Sequence, residues 1–150
     1  MSCSIRLATV NDAESVANLA DALLAEIMKV IGVEAFDSDS NAMRDQLRES
    51  IPNQYHFVLV AEKAGAVVGF AALSPAYALY TKGVFGLITE LFVLPQYRSQ
   101  SIGAQLISEC RAFAKEHGWS QLEVTTPPLP EFERTLQFYQ DQGFVMSGGR

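Results

Sequence analysis

Residues 90–104, ELFVLPQYRSQSIGA, hold the side chains and the spacing most suited to chemistry. An apolar run at 91–94 is stopped by Pro95. A polar, basic loop through Arg98, Ser99, Gln100 and Ser101 then leads into Ile102, Gly103, Ala104 and an amphipathic stretch. A strand, a tight loop and a helix start in that order point backbone N–H groups at one place, and the helix dipole favours negative charge there. The implied chemistry is the cradling of a phosphate-bearing ligand. The same order also makes an ordinary strand–helix connection, and a glycine loop alone does not separate the two. No lysine follows Gly103, as a phosphate-loop nucleotide site requires.

Composition limits what can surround this loop. The 150 residues suit one domain, 1–150, with 49% hydrophobic residues to build its core. No apolar run approaches the ~18 residues of a membrane span. The start, MSCSIR, lacks a signal peptide's apolar core, so the expected location is the cytoplasm, with no membrane partner. Cys3 and Cys110 have no metal-site spacing, and no metal is expected. Cys110 falls on an apolar helical stripe, as a small buried hydrophobe does. A net charge of −6 and a pI near 4.8 speak against nucleic acid. An anion must then rely on local help from amides, a helix N-terminus and Arg98. The same acidic field favours a cationic second substrate such as an amine, though it serves solubility equally well.

The elements that must position the loop follow from periodicity and breakers. Residues 5–8 read as a strand. Asn11 or Asp12 caps a helix through residue 31, on which Val16, Leu19, Leu23, Leu24 and Ile27 share a face. An acidic loop follows, and Ser40 caps a weaker helix to residue 50. Strands are expected at 55–62 and 66–73, joined by a hairpin, then a loop at 74–83 and a long strand at 84–94. The helix after the loop ends at Gly118. A strand at 121–125, a proline-rich bend, a helix at 131–142 and a final strand at 144–146, short or truncated at Arg150, complete the chain. The order is mixed α/β, with an antiparallel hairpin and a parallel crossover from 84 to 125.

This order, with the loop where it stands, resembles the GCN5-related N-acetyltransferase (GNAT) superfamily over nearly the whole chain. The opening IRLATVNDA from Ile5 looks like the family's first strand and helix start. The segment from Glu90 to Arg98 looks like its fourth strand, and RSQSIG from Arg98 occupies the frame of its acyl-CoA pyrophosphate loop. FYQDQGF from Phe138 is similar to its C-terminal signature. The resemblance implies a mixed, mainly antiparallel sheet flanked by about four helices, with a splay between strands four and five. Ser101 stands where the family usually has the first motif glycine, and Ser99 where glycine is also common. Phe132 stands where relatives often carry a cofactor-contacting asparagine, so that contact is not carried over.

The implied reaction is acetyl transfer from acetyl-CoA to a primary amine, by direct attack in a ternary complex. Pantetheine would pair with backbone at Leu91, Phe92 and Val93, and the phosphates would sit over residues 98–104. Tyr139, in the family's tyrosine position, is the expected acid at the leaving sulfur. Glu90 is the expected base, or else a ligand for the substrate ammonium. His56 and His117 are weaker alternatives, His56 because it begins a strand far along the chain from the loop. The acceptor side is expected at Glu34, Phe36, Asp37 and Asp39 with Tyr77, Tyr80 and Phe85, where carboxylates beside aromatics suit a cation. The acceptor is a small-molecule amine or a peptide amine, and the resemblance admits a homodimer. The alternative is an acyl-CoA-binding sensor or a catalytically inactive module of the same fold.

Overall fold

The computed structural model describes residues 3–32, 39–125 and 132–146. The elements are β1 (Ser4–Leu7), α1 (Ala13–Ile31), α2 (Ser40–Ser50), β2 (Phe57–Lys63), β3 (Ala66–Tyr77), β4 (Val84–Val93), α3 (Ile102–Glu116), β5 (Leu122–Val124) and α4 (Glu133–Asp141). The strands form one sheet in the order β1-β2-β3-β4-β5. All neighbours are antiparallel except β4 and β5, which run parallel. This is the expected GNAT-type architecture.

Two cores cover the two faces. On one, α3 packs Leu106, Ile107 and Cys110, all fully buried, against Leu59, Leu73 and Ile88 of the sheet. On the other, Val16 and Leu19 of α1 meet Val58, Val60, Phe70 and Phe92. The helical periodicity seen in the sequence is what gives α1 and α3 their buried stripes. Between β2 and β3, Ala64 and Gly65 both take positive φ, +53° and +80°. A two-residue turn of that hand matches the strand twist, so the expected hairpin forms.

Several local expectations are corrected. Asp12 is the N-cap residue of α1, as expected, but makes no side-chain capping bond into it; its carboxylate turns back to Thr9, with which it shares a reciprocal capping box around the preceding turn. Asp39, rather than Ser40, caps α2, accepting from the Asn41 and Ala42 amides. Residues 74–77, expected as loop, continue β3, because β4 is long enough to pair them up to Tyr77↔Val84. Residues 144–146 form no strand. The Phe144 N–H instead bonds back to Tyr139 O at 3.1 Å, and its ring meets the Tyr139 ring edge-on at 5.8 Å.

Candidate active site

The site begins with a change of register in β4. Ala72 of β3 pairs with Glu90, yet the next residue, Leu73, pairs with Ile88. Thr89 is therefore an extra residue on β4, a β-bulge. Without it, Ile88, Glu90 and Phe92 would share one face. With it, Ile88 packs on the α3 side while Phe92 packs on the α1 side. The bulge thus turns Glu90 toward α1 and α2. Thr89 Oγ1 donates to Glu90 Oε1 at 2.7 Å and holds the carboxylate in place.

The bulge also sets which backbone groups are free. Leu94 N–H bonds to Val68 O, so alternate residues Phe92 and Glu90 also bond toward β3. Leu91 and Val93 then direct their N–H and C=O groups to the other edge of β4. Among the described residues, β5 pairs with β4 at Gly86, Leu87 and Ile88, and none pairs with that edge at Leu91 or Val93. Val93 O is consistent with this direction, since it accepts from Arg98 Nε at 2.9 Å.

A cleft of about 940 Å³ opens where β5 departs, at the large end of the range for ligand sites. Leu91 and Val93 line one wall, and Thr135, Phe138 and Tyr139 of α4 line another. At its far end stand Arg98, Ser99, Ser101, Ile102, Gly103 and Ala104. Gln105 is the first amide of α3 to bond to a carbonyl of the preceding turn, Ser101 O at 3.0 Å. The Ile102, Gly103 and Ala104 amides are thus the helix's free donors, available to an anion. Free strand backbone leading to a helix N-terminus fits an extended, amide-bearing ligand that ends in phosphate.

Ser99 and Ser101 both hold φ of +64°, the left-handed region that favours glycine. The chain thus keeps the glycine-type loop path with serines in it. Ser101 sits at the N-cap of α3 without a side-chain capping bond. Gly103 is needed for packing: a Cβ there would approach the Phe138 ring at 3.2 Å. That contact ties the start of α3 to the helix that carries Tyr139.

Arg98 lines the cleft, but its guanidinium is already engaged. It bonds both carboxylate oxygens of Glu26 on α1 at 3.0 and 3.1 Å and lies over the Phe92 ring. Gln100 does not line the cleft and accepts instead from Lys63 Nζ at 2.6 Å. The Phe92 side chain is buried in the α1-side core, so only its backbone lies near the ligand path.

Tyr139 is 6% exposed yet lines the cleft. Burial, reinforced by the Cys110 thiol, pushes its phenol up to about 12. It is therefore a proton donor at neutral pH. Cys110 is buried as expected, and burial raises its thiol to about 12.

A second, smaller cavity of about 140 Å³ lies on the α1 side of the sheet. Ala20 and Leu24 of α1, Met43 and Leu47 of α2, and Phe70 and Ala72 of β3 make it mainly apolar. Gln46, His56 and Glu90 are its polar groups. Glu90 and Leu24 line both cavities, so the two spaces meet at the carboxylate.

Glu34, Phe36 and Asp37 lie outside the described residues. Tyr77 and Tyr80 are 80% and 58% exposed, and Phe85 is buried beside Tyr80, whose hydroxyl donates to Glu123 at 2.6 Å. None of these three lines either cavity. Phe85 precedes Glu90 by five residues, about 16 Å of strand. His56, discounted for its distance in sequence, is brought to Glu90's pocket. Thr89, Glu26 and Arg134, which also lines the cleft, were not singled out from sequence. Arg134 was open to detection: Arg134 with Phe138, and Thr135 with Tyr139, are four-residue pairs on one helical face.

The Acetyltransferase (GNAT) domain family matches residues 54–146. The chain belongs to the GNAT acetyltransferases. It is 32% identical over 124 residues to the aminoalkylphosphonate N-acetyltransferase of Salmonella typhimurium, covering 83% of this chain and 74% of that one. It is 26% identical to YhfO, an uncharacterized N-acetyltransferase of Bacillus subtilis, over 95% of this chain and 93% of the relative. An acetyltransferase of Clostridium acetobutylicum, solved with acetyl-CoA, shares the fold with a TM-score of 0.80 at 17% identity, covering 99% and 94% of the two chains. Among the described residues no group of side chains could hold a metal ion, and no helix is long and apolar enough to cross a membrane.

Proposed function

We propose that this GNAT protein, acting as one catalytic domain, transfers an acetyl group from acetyl-CoA to a primary amine by direct attack in a ternary complex. The observation that carries the reading is the position of Glu90, which borders both the cleft and the apolar pocket. An amine seated in the pocket would meet a thioester in the cleft at that carboxylate.

Each residue's part follows from its surroundings. The free backbone of Leu91 and Val93 would hold the pantetheine as an added strand and place its carbonyl near a strand amide. The amides of Ile102, Gly103 and Ala104 would take the phosphates, with Arg98 exchanging Glu26 for them. Glu90, oriented by Thr89, would hold the ammonium and accept its proton, so that the neutral nitrogen attacks the acyl carbon. Tyr139, kept protonated by burial, would give its proton to the departing sulfur.

Thiol release from acetyl-CoA against a panel of amines, wild type beside Tyr139→Phe, tests this. The variant is expected to lose about tenfold or more in kcat with acetyl-CoA affinity retained. Unchanged kcat would reassign Tyr139 to packing. Acetyl-CoA binding without release on any small or peptide amine would favour the sensor reading, to which the strained serine loop and the occupied Arg98 lend support.

A further inference from the structure

We infer that the acceptor is a small primary amine on a compact apolar body, the size of one ring or a short branched chain, with no anionic tail. The inference rests on the transferase reading above and concerns the pocket at Glu90.

Size is the first argument. The cavity measures about 140 Å³, and an apolar cavity of about 150 Å³ takes one benzene ring. An aminoglycoside exceeds that volume several times over. Lining is the second. α1, α2 and β3 supply Ala20, Leu24, Met43, Leu47, Phe70 and Ala72, so the walls offer burial rather than polar partners. A ring or branched chain gains there by leaving water, about 25 cal/mol per Å².

Charge is the third. Glu90 is the one carboxylate among the described lining residues, and no Lys or Arg lines the pocket. A phosphonate or carboxylate tail would be desolvated with Gln46 and His56 but no Lys or Arg among the described lining residues to meet it, beside a carboxylate. A polyamine would place its second ammonium against apolar walls after the first had taken Glu90. One ammonium at Glu90 with an apolar group behind it matches the carboxylate and the apolar walls from Ala20, Leu24, Met43, Leu47, Phe70 and Ala72.

The relative named for aminoalkylphosphonates makes 2-aminoethylphosphonate the sharpest counter-ligand. The full chain, saturated with CoA, is titrated calorimetrically with 2-phenylethylamine, isopentylamine, 2-aminoethylphosphonate and spermidine. Each amine is then assayed with acetyl-CoA by thiol release. The two apolar amines are expected to bind, and to exceed the other two by about tenfold or more in kcat/KM. Met43→Trp, at a half-buried wall position on α2, is expected to raise KM for 2-phenylethylamine about tenfold, leave ethylamine within about twofold, and leave acetyl-CoA affinity unchanged. Ala20→Leu fills the cavity from α1 and gives the same split should the tryptophan variant fail to fold. Preference for the phosphonate or for spermidine overturns the inference and leaves the transferase reading standing. So does an equal KM change for 2-phenylethylamine and ethylamine in the filled variants. Absence of thiol release with every amine overturns the transferase reading, and failure of the apolar amines to bind overturns the pocket assignment independently of turnover.

Discussion

The two edges of β4 behave differently. Toward β3 it is paired from Val84↔Tyr77 to Val93↔Gly69, with Thr89 alone passed over. Toward β5 it is paired, among the described residues, at Gly86, Leu87 and Ile88, and β5 ends there. The paired edge gives rigidity, while the open edge gives unsatisfied backbone, which is what a peptide-like ligand needs. Both properties come from one strand, so the open backbone at Leu91 and Val93 is backed by the ladder to β3. The bulge at Thr89 lies at the transition and sets which groups are free. The difference teaches that this site was made by stopping a β-ladder early, with few special side chains.

The sharpest way to break the comparison is a pair of prolines. Ala72→Pro removes an N–H that bonds β3 to β4 and is expected to cost about 3 kcal/mol or more, read as a fall in Tm of about 10 °C or as failure to fold. Leu91→Pro removes an N–H on the open edge. Its Tm is expected to fall by less than about 4 °C, while acetyl-CoA affinity falls about tenfold. Equal destabilisation by the two would show that the edge at Leu91 is not free.

A smaller effect sharpens the role of the closed, dry side of the cleft. Burial holds the Tyr139 phenol and the Cys110 thiol neutral, each raised to about 12. In the unfolded chain they ionise at their ordinary values, near 10 and 8.5. Their stabilising contribution is therefore full below about pH 8.5 and is lost as pH rises toward 12. Wild-type Tm is expected to drop across that window, and Cys110→Val to flatten the drop. An unchanged slope in the variant would contradict the burial of the thiol.

The smallest effect concerns the phosphate end. The Arg98 and Glu26 side chains are 43% and 34% exposed, so their ion pair is worth no more than about 1 kcal/mol. Glu26→Gln frees Arg98 and is expected to tighten acetyl-CoA binding about threefold, measured by calorimetry. Weaker binding would mean that Glu26 serves the ligand rather than competing with it.

How much of this was legible varies by element. The turn from β4 into α3 was, because strand end, loop and helix start are contiguous and their amides converge through local geometry alone. The helical faces of α1 and α3 were, because burial repeats at the helix period. Tyr139 was reached through its signature with Phe138 and Gly143. The second cavity was not: His56, Glu90, Met43 and Val16 come from four distant parts of the chain. The loop at 74–77 was misread because Ser74 and Pro75 carry turn composition, yet pairing with β4 overrode it.

Sequence alone carries the mixed α/β order, the hairpin at Ala64 and Gly65, the buried face of α3 and the turn from β4 into α3 at residues 98–104. Each of these is written in neighbours a few residues apart. Only the folded chain shows that Thr89 is an extra residue, that Glu90 therefore faces α1 and α2, that Arg98 meets Glu26, and that the pocket at Glu90 is mainly apolar. A strand alternates with period two, and one inserted residue reverses every side chain beyond it. Nothing in the local sequence marks where a partner strand skips a residue, because that depends on the strand beside it.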